Sequence, residues 1–152
     1  MAIDPAVIGT ECRATTLAVD SGRLRFFAKA IGETDPVYLD EGAAFAAGHP
    51  GLPVPPTFLM AIELEQADPF AWLTDLGVDL RRVLHGEQAF TYHSVAHAGD
   101  VLTSTPRIRD VYTKKGGALD FIVKESSITR ADGSLVAECT GVIVVQNPEV
   151  GR

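Results

Sequence analysis

The sequence contains few of the residues that mark disulfide-bonded or metal-binding proteins. It has two cysteines in 152 residues, Cys12 and Cys139, with neither a CxxC pair nor the Cys/His spacing of a zinc site. We therefore expect both thiols to be reduced core residues of a cytosolic protein. Of the four histidines, His93 and His97 are four apart but lie in a strand-to-turn region, where that spacing does not place both on one face. We expect no metal and no cofactor.

Basic residues and long apolar runs are also scarce. Thirteen Lys and Arg stand against 20 Asp and Glu, which gives a formal net charge of −7, so we expect no nucleic-acid partner. No eighteen apolar residues run together, and the start has no basic segment followed by a long apolar one. We therefore expect a cytoplasmic protein without membrane contact. No repeat, low-complexity tract or charged linker divides the chain, so we expect a single domain over residues 1–152.

The first half of the chain has the periodicity of helices. Apolar residues recur at helical spacing from Leu24 to Ile31, and the segment from Asp40 to Gly48 has a cap before it and a glycine after it. A proline-rich loop then leads into a helix over residues 57–65. The first turns of this third helix are apolar all round, which predicts a helix buried on every side.

The second half alternates with a period of two, which predicts strands. The candidates are residues 86–93, 101–113, 119–130 and 135–146, with one more strand at a sheet edge over 11–19. Helices first and strands later, around one apolar helix, indicate an α+β domain in which a curved antiparallel sheet wraps the central helix. Only the concave face of such a sheet packs on the helix, so we expect an edge strand or the outer face to take a second copy.

Four segments carry a resemblance to a known family. They are Phe27-Ala-Lys-Ala-Ile-Gly-Glu-Thr-Asp-Pro-Val-Tyr-Leu-Asp, Gly51-Leu-Pro-Val-Pro-Pro-Thr-Phe-Leu, Leu84-His-Gly-Glu-Gln-Ala-Phe-Thr-Tyr-His and Ala98-Gly-Asp-Val-Leu. Together they resemble the MaoC-like dehydratases of the hot-dog fold, most of all the N-terminal, fatty-acid-synthase-type dehydratase domain, over about residues 8–146. The resemblance implies a hot-dog domain that acts as an (R)-specific 2-enoyl thioester hydratase or 3-hydroxyacyl thioester dehydratase on acyl-CoA or acyl-ACP.

The motif that carries the chemistry in that family departs from its pattern here. Active members use the Asp and His of a Gly-Asp-x-Asn-Pro-x-His stretch. In this chain Glu33 is in the position of the Asp, Asp35 in that of the Asn and Tyr38 in that of the His. An imidazole gives and takes protons near neutral pH, whereas a phenol does not. Pro55 and Pro56 also lack the N–H groups with which a helix N-terminus could hold a thioester oxygen.

Both departures resemble the subunits of mycobacterial-type β-hydroxyacyl-ACP dehydratase that lack the catalytic histidine. They imply the substrate-binding subunit of a dimer, in which a MaoC-like partner carries the Asp/His pair; a homodimer and a heterodimer are both open. The resemblance implies catalytic positions at Glu33, Tyr38 and His85. It implies substrate contacts at Phe27, Asp35, Val54, Thr57 and Phe58.

Simpler interpretations of the same residues remain. Glu33 and Asp35 before Pro36 can form a turn, and His85 can be a hydrogen-bonded structural histidine. Two other functions also remain open. One is a catalytically silent hot-dog homodimer that binds an acyl thioester or stabilises another subunit. The other is a thioesterase, because the same fold also hosts thioester hydrolysis.

Overall fold

The structure is a computed structural model, and it describes residues 3–148 and residue 150. Its strands are β1 (Thr15–Ala18), β2 (Val83–Tyr92), β3 (Val101–Lys114), β4 (Leu119–Arg130) and β5 (Leu135–Gln146). Its α-helices are α1 (Ser21–Ala30), α2 (Glu41–Ala46) and α3 (Ala71–Asp75). A 3-10 helix of ten residues, Pro56–Glu65, is called the central helix below. Shorter 3-10 turns cover Pro5–Val7, Pro36–Tyr38, Leu80–Arg82 and Lys115–Gly117.

The five strands form one antiparallel sheet in the order β1-β3-β4-β5-β2. The period-two pattern therefore predicts the strands correctly, and β1 is at an edge as expected. It is shorter than predicted, because the segment before Thr15 does not pair continuously with β3. It contacts that strand through separate hydrogen bonds, such as Cys12 N–H to the carbonyl of Pro106 at 2.8 Å, and through the isolated bridge between Glu11 and Arg107. The other edge is β2, so a strand edge lies open on each side of the sheet.

Helices α1 and α2 begin where the sequence predicts, because an aspartate caps each of them. Asp20 Oδ1 accepts a hydrogen bond from the N–H of Arg23 at 3.0 Å, and Asp40 Oδ1 accepts one from Ala43 at 2.8 Å. These bonds satisfy amide groups that the first turn leaves without a partner. The chain leaves α1 through Gly32, whose φ of +76° suits glycine.

The central helix differs from its prediction in type and in burial. Phe58, Leu59 and Ile62 are buried, whereas Met60 is 43% and Leu64 50% exposed, so the expectation of burial on every side is wrong. The physical reason is that the sheet covers only one side of this helix. Met60 and Leu64 lie on the uncovered side of the helix and therefore remain partly exposed.

Two apolar clusters form the core on the concave side of the sheet. The cluster around the central helix joins it to strands β3, β4 and β5 through residues such as Leu102, Ile128 and Val136. The second lies between α3 and the far ends of β3 to β5, around Leu73 and Ile122. Both cysteines are free thiols, but only Cys139 is fully buried; Cys12 is half-buried and precedes β1.

No helix in the part of the chain that the structure describes is both long and apolar enough to cross a membrane.

Candidate functional site

An apolar cavity of about 340 Å³ opens at the N-terminal end of the central helix. The aliphatic side chains of Val54 and Leu59 form part of its wall, and Tyr38, His49 and Tyr92 add polar groups. We call it the motif cavity, because Tyr38 belongs to the segment that departs from the family pattern. A cavity with mostly apolar walls and a few converging polar groups is the common form of a small-molecule site.

A short turn brings Tyr38 to this cavity. Asp35 caps the 3-10 turn Pro36–Tyr38: its Oδ1 accepts a hydrogen bond from the N–H of Val37 at 3.0 Å. Glu33 holds the backbone just before this turn, since its Oε1 accepts hydrogen bonds from the N–H groups of Thr34 at 2.8 Å and Asp35 at 2.9 Å. Both carboxylates thus hold the backbone that presents Tyr38, and neither of them lines the cavity.

The predicted substrate contacts fall into two layers. Val54 lines the motif cavity, while Phe27 and Phe58 lie behind it, in the core cluster that Val54 shares. Their rings meet edge to face, with centroids 5.3 Å apart and an interplanar angle of 85°. Phe58 donates its N–H to the carbonyl of Pro55 at 2.9 Å, so this amide is already used within the turn. Thr57 is exposed beside it.

A contact between two histidines, one of which lines the motif cavity, was not predicted from the sequence. His49 Nδ1 lies 3.0 Å from His97 Nε2, although 48 positions separate the two residues. His97 lies in the segment before β3 and forms an isolated antiparallel bridge with Pro53 of the proline-rich loop. Burial lowers the pKa of His97, and the neighbouring His49 lowers it further, which favours a neutral His97 ring. No sequence spacing signals this contact, because two loops bring the rings together.

Tyr92, the last residue of β2, contributes a second phenol to the cavity. Burial raises its pKa, and the nearby Cys139 and Tyr38 raise it further. The Tyr92 hydroxyl is therefore protonated at neutral pH, and it can donate a hydrogen bond to a ligand oxygen.

A second cavity, of about 290 Å³, lies on the other side of Leu59, which lines both. His85 is on its wall, with Nε2 3.2 Å from Gln88 Oε1. The structure therefore does not bring His85 together with Tyr38 within this chain. Of the three predicted catalytic positions, Tyr38 lines the motif cavity, His85 lines this one and Glu33 lines neither.

An ion pair lies in the wall of the second cavity. Lys124 Nζ lies 2.5 Å from Glu63 Oε2, and Ser104 and Ser126 donate hydrogen bonds to the other carboxylate oxygen. Burial alone would raise the pKa of Glu63, but the Lys124 charge and these hydrogen bonds outweigh burial and lower it. The ammonium also lies over the ring of Trp72, 4.8 Å from the centroid.

In residues 3–148 and residue 150 no three His, Cys, Asp or Glu side chains come together as a metal site would need. The phenols of Tyr38 and Tyr92 and the imidazole of His49 give the motif cavity groups that can form hydrogen bonds with a ligand.

Comparisons with known proteins agree on one family. The sequence profile described as the FAS1-like, dehydratase domain region matches residues 6–139. A UPF0336 protein of Clavibacter michiganensis subsp. michiganensis is 38% identical over 127 residues, which cover 84% of each chain.

Solved structures from Mycobacterium tuberculosis are similar in fold. A chain of the C-terminally truncated HadBC (3R-hydroxyacyl-ACP dehydratase) complex is 25% identical with a TM-score of 0.77, and the match covers 91% of this chain and 96% of that one. A chain of the ChsH1-ChsH2 complex is 24% identical with a TM-score of 0.72, and covers 90% and 84%. The expected α+β hot-dog fold is thereby confirmed.

Proposed function

This chain belongs to the family of the FAS1-like dehydratase domain region, and from that premise we propose that it is the substrate-binding subunit of a dimeric (R)-specific 2-enoyl thioester hydratase or 3-hydroxyacyl thioester dehydratase. Its substrate is an acyl-CoA or acyl-ACP thioester, and its partner carries the Asp/His pair. The similarity to a chain of the HadBC dehydratase complex supports the reaction class.

The observation that carries this proposal is the composition of the motif cavity. The capped turn Pro36–Tyr38 still presents its last residue to a cavity with apolar walls, but that residue is a phenol. The cavity can therefore enclose an acyl group without the imidazole that the family motif provides. Val54 and Tyr38 would contact the acyl group, and Phe27 and Phe58 would shape the wall from behind. Glu33 and Asp35 would hold the turn.

The open edge of β2 supports the dimer. Among the residues that the structure describes, this strand pairs with β5 alone, and its ten residues are exposed or half-buried throughout. Unpaired N–H and C=O groups along a strand edge are a ready partner for another strand. The HadBC and ChsH1-ChsH2 structures are themselves complexes of two proteins. We propose that a MaoC-like subunit pairs along β2, which also brings His85 close to that partner.

The test is hydration of crotonyl-CoA, which is monitored through the loss of the enoyl-thioester absorbance. The chain is measured alone and after mixing with a hot-dog subunit that has an intact Gly-Asp-x-Asn-Pro-x-His motif, and the product is analysed for its configuration. We expect rapid formation of the (R)-3-hydroxyacyl product only in the mixture. Variants Tyr38→Phe and His85→Ala, assayed in the same mixture, show whether either side chain takes part.

Other outcomes identify the alternatives. Release of free CoA would indicate a thioesterase. Binding of crotonyl-CoA without turnover, in the mixture as well as alone, would indicate a silent binding protein and contradict the enzymatic role.

A further inference from the structure

We propose that His49 is a catalytic residue: it gives this subunit a proton-transfer group in its own motif cavity, and His97 holds it in position. This inference rests on the proposed function, because it requires that the cavity take a 2-enoyl thioester. It goes beyond that function because it assigns proton transfer to an imidazole of this chain. That imidazole lies outside the family motif, in which Tyr38 replaces the histidine.

The position of His49 carries the first step of the argument. Tyr38 and His49 line the same cavity from two different segments, the motif turn and the proline-rich loop. The ring of His49 uses Nδ1 in its contact with His97. Within the described chain its Nε2 has no hydrogen-bond partner, so this nitrogen can take a proton from a ligand or a water molecule.

The second step concerns the orientation of the ring. His97 is fixed by its backbone: its N–H donates to Asp100 Oδ2 at 3.0 Å, and the same carboxylate pairs with Arg130 Nε at 3.1 Å. His97 also forms the bridge to Pro53, four positions after His49. When His49 Nδ1 donates to His97 Nε2, Nε2 of His49 is the unprotonated nitrogen. A base whose far side is held by a second group is a recurring arrangement of nucleophile-activating sites.

The chemistry then balances without any further reactant. His49 Nε2 takes a proton from water as the water oxygen bonds to C3 of the enoyl thioester. The electron pair of the C2–C3 double bond moves toward C2 and the thioester carbonyl, where the Tyr92 hydroxyl can donate a hydrogen bond. The imidazolium returns its proton to C2, which completes the addition of one water molecule. Dehydration is the reverse sequence.

The experiment uses the mixture with a motif-bearing partner in which the motif histidine has been replaced by alanine. This removes the partner's own proton transfer and leaves the reaction in the motif cavity of this chain. We compare the wild-type chain with His49→Gln and His49→Ala, each with and without added imidazole. Arg81→Gln is the surface control, because the Arg81 side chain is 89% exposed and its contact is with Asp79. Crotonyl-CoA is the substrate, and binding is measured separately by calorimetry.

The expected result is slow hydration by the wild-type chain and by Arg81→Gln. His49→Gln should lower kcat by about 100-fold or more with little change in binding, which is the range of general acid–base catalysis. Imidazole should restore part of the rate in His49→Ala, an effect that a merely structural histidine would not produce.

Two outcomes overturn the inference and leave the proposed function intact. In the first, the mixture is fully active with the unmodified partner but inactive once the partner's motif histidine is replaced. In the second, kcat is unchanged in His49→Gln. If the mixture with the unmodified partner neither binds nor hydrates crotonyl-CoA, the proposed function itself fails.

Discussion

Glu63 of the central helix and Lys124 of β4 form an ion pair whose side chains are only 17% and 18% exposed. Charges removed from water to this extent are costly unless they are paired and hydrogen-bonded. Here Ser104 and Ser126 complete the carboxylate, and Trp72 covers the ammonium. The pair attaches the central helix to the middle of the sheet.

Removing one partner of this pair should destabilise the protein more than removing both. We expect Lys124→Met to lower the free energy of unfolding by about 2–4 kcal/mol, because Glu63 then remains as a poorly solvated charge. The double variant Glu63→Gln/Lys124→Met should recover part of that loss. Urea denaturation, monitored by circular dichroism, measures the free energy of unfolding of the wild type, the single variant and the double variant. Equal losses in the single and double variants would contradict a coupled pair.

The same carboxylate predicts how stability depends on pH. The pKa of Glu63 is lower in the folded protein than its ordinary value, so the unfolded chain binds more protons in mildly acidic solution. The stabilisation is fully present above the pKa of an unfolded Glu, near 4.3, and is lost as the pH falls through the lowered folded value. Glu63→Gln should therefore flatten the decline in melting temperature between about pH 5 and pH 3. An identical slope in wild type and variant would contradict this assignment.

The two thiols should react only slowly in the folded protein. Burial, with a further contribution from Glu63, raises the pKa of Cys139 to about 12, and burial also raises the pKa of Cys12. Because the thiolate is the reactive form, labelling by iodoacetamide at pH 8 should be much slower than for a free thiol. Cys139 should react only when the protein unfolds, since it is 5% exposed. In the Cys12→Ser variant Cys139 is the only thiol. Rapid labelling of this variant in its folded state would contradict the burial of Cys139.

A side chain at Gly86, in the bulge of β2, should destabilise the protein. A Cβ there would lie 2.9 Å from Val144 Cγ2 and 3.2 Å from the carbonyl oxygen of Val142, where the register of β2 on β5 shifts. Gly86→Ala should lower the free energy of unfolding by about 1–3 kcal/mol through overpacking. Val144→Ala in the same chain should relieve part of that loss, because it removes the nearer contact. Thermal unfolding of the four proteins of this cycle decides the question.

Restoring the family motif should raise activity without a partner. Glu33→Asp with Tyr38→His places a carboxylate and an imidazole at the family positions, on a turn that Asp35 already caps. We expect crotonyl-CoA hydration by the chain alone to rise by at least about tenfold, a modest share of what acid–base catalysis supplies. Tyr38→Phe is the matched control for the loss of the phenol. A folded double variant with no gain would contradict the view that the missing imidazole limits this subunit.

The regular elements could be predicted because their signals are local. The alternation in β3, β4 and β5, together with the capping aspartates Asp20 and Asp40, depends on neighbours a few positions away. The one-sided burial of the central helix could not be predicted, because composition shows that a helix is apolar but not which side a sheet will cover.

Only the part of the site that a single segment forms could be predicted from the sequence. The turn that presents Tyr38 is local, and its acidic residues can be interpreted as caps from the sequence. The contact between His49 and His97 depends on how two loops meet, and the separation of His85 from Tyr38 depends on β2 lying at the sheet edge beside β5. Long-range arrangements of this kind follow from the packing of the whole chain.

The open edge of β2 has a consequence for how much of the protein a cell can maintain. Under the proposed pairing, the free subunit exposes a strand edge together with the apolar side chains Leu84, Met60 and Leu64. Its folded population then depends by mass action on the concentration of the partner. A shortage of the partner would therefore reduce the amount of this chain as well as its activity, and the two subunits would be kept in proportion by degradation of the unpaired one.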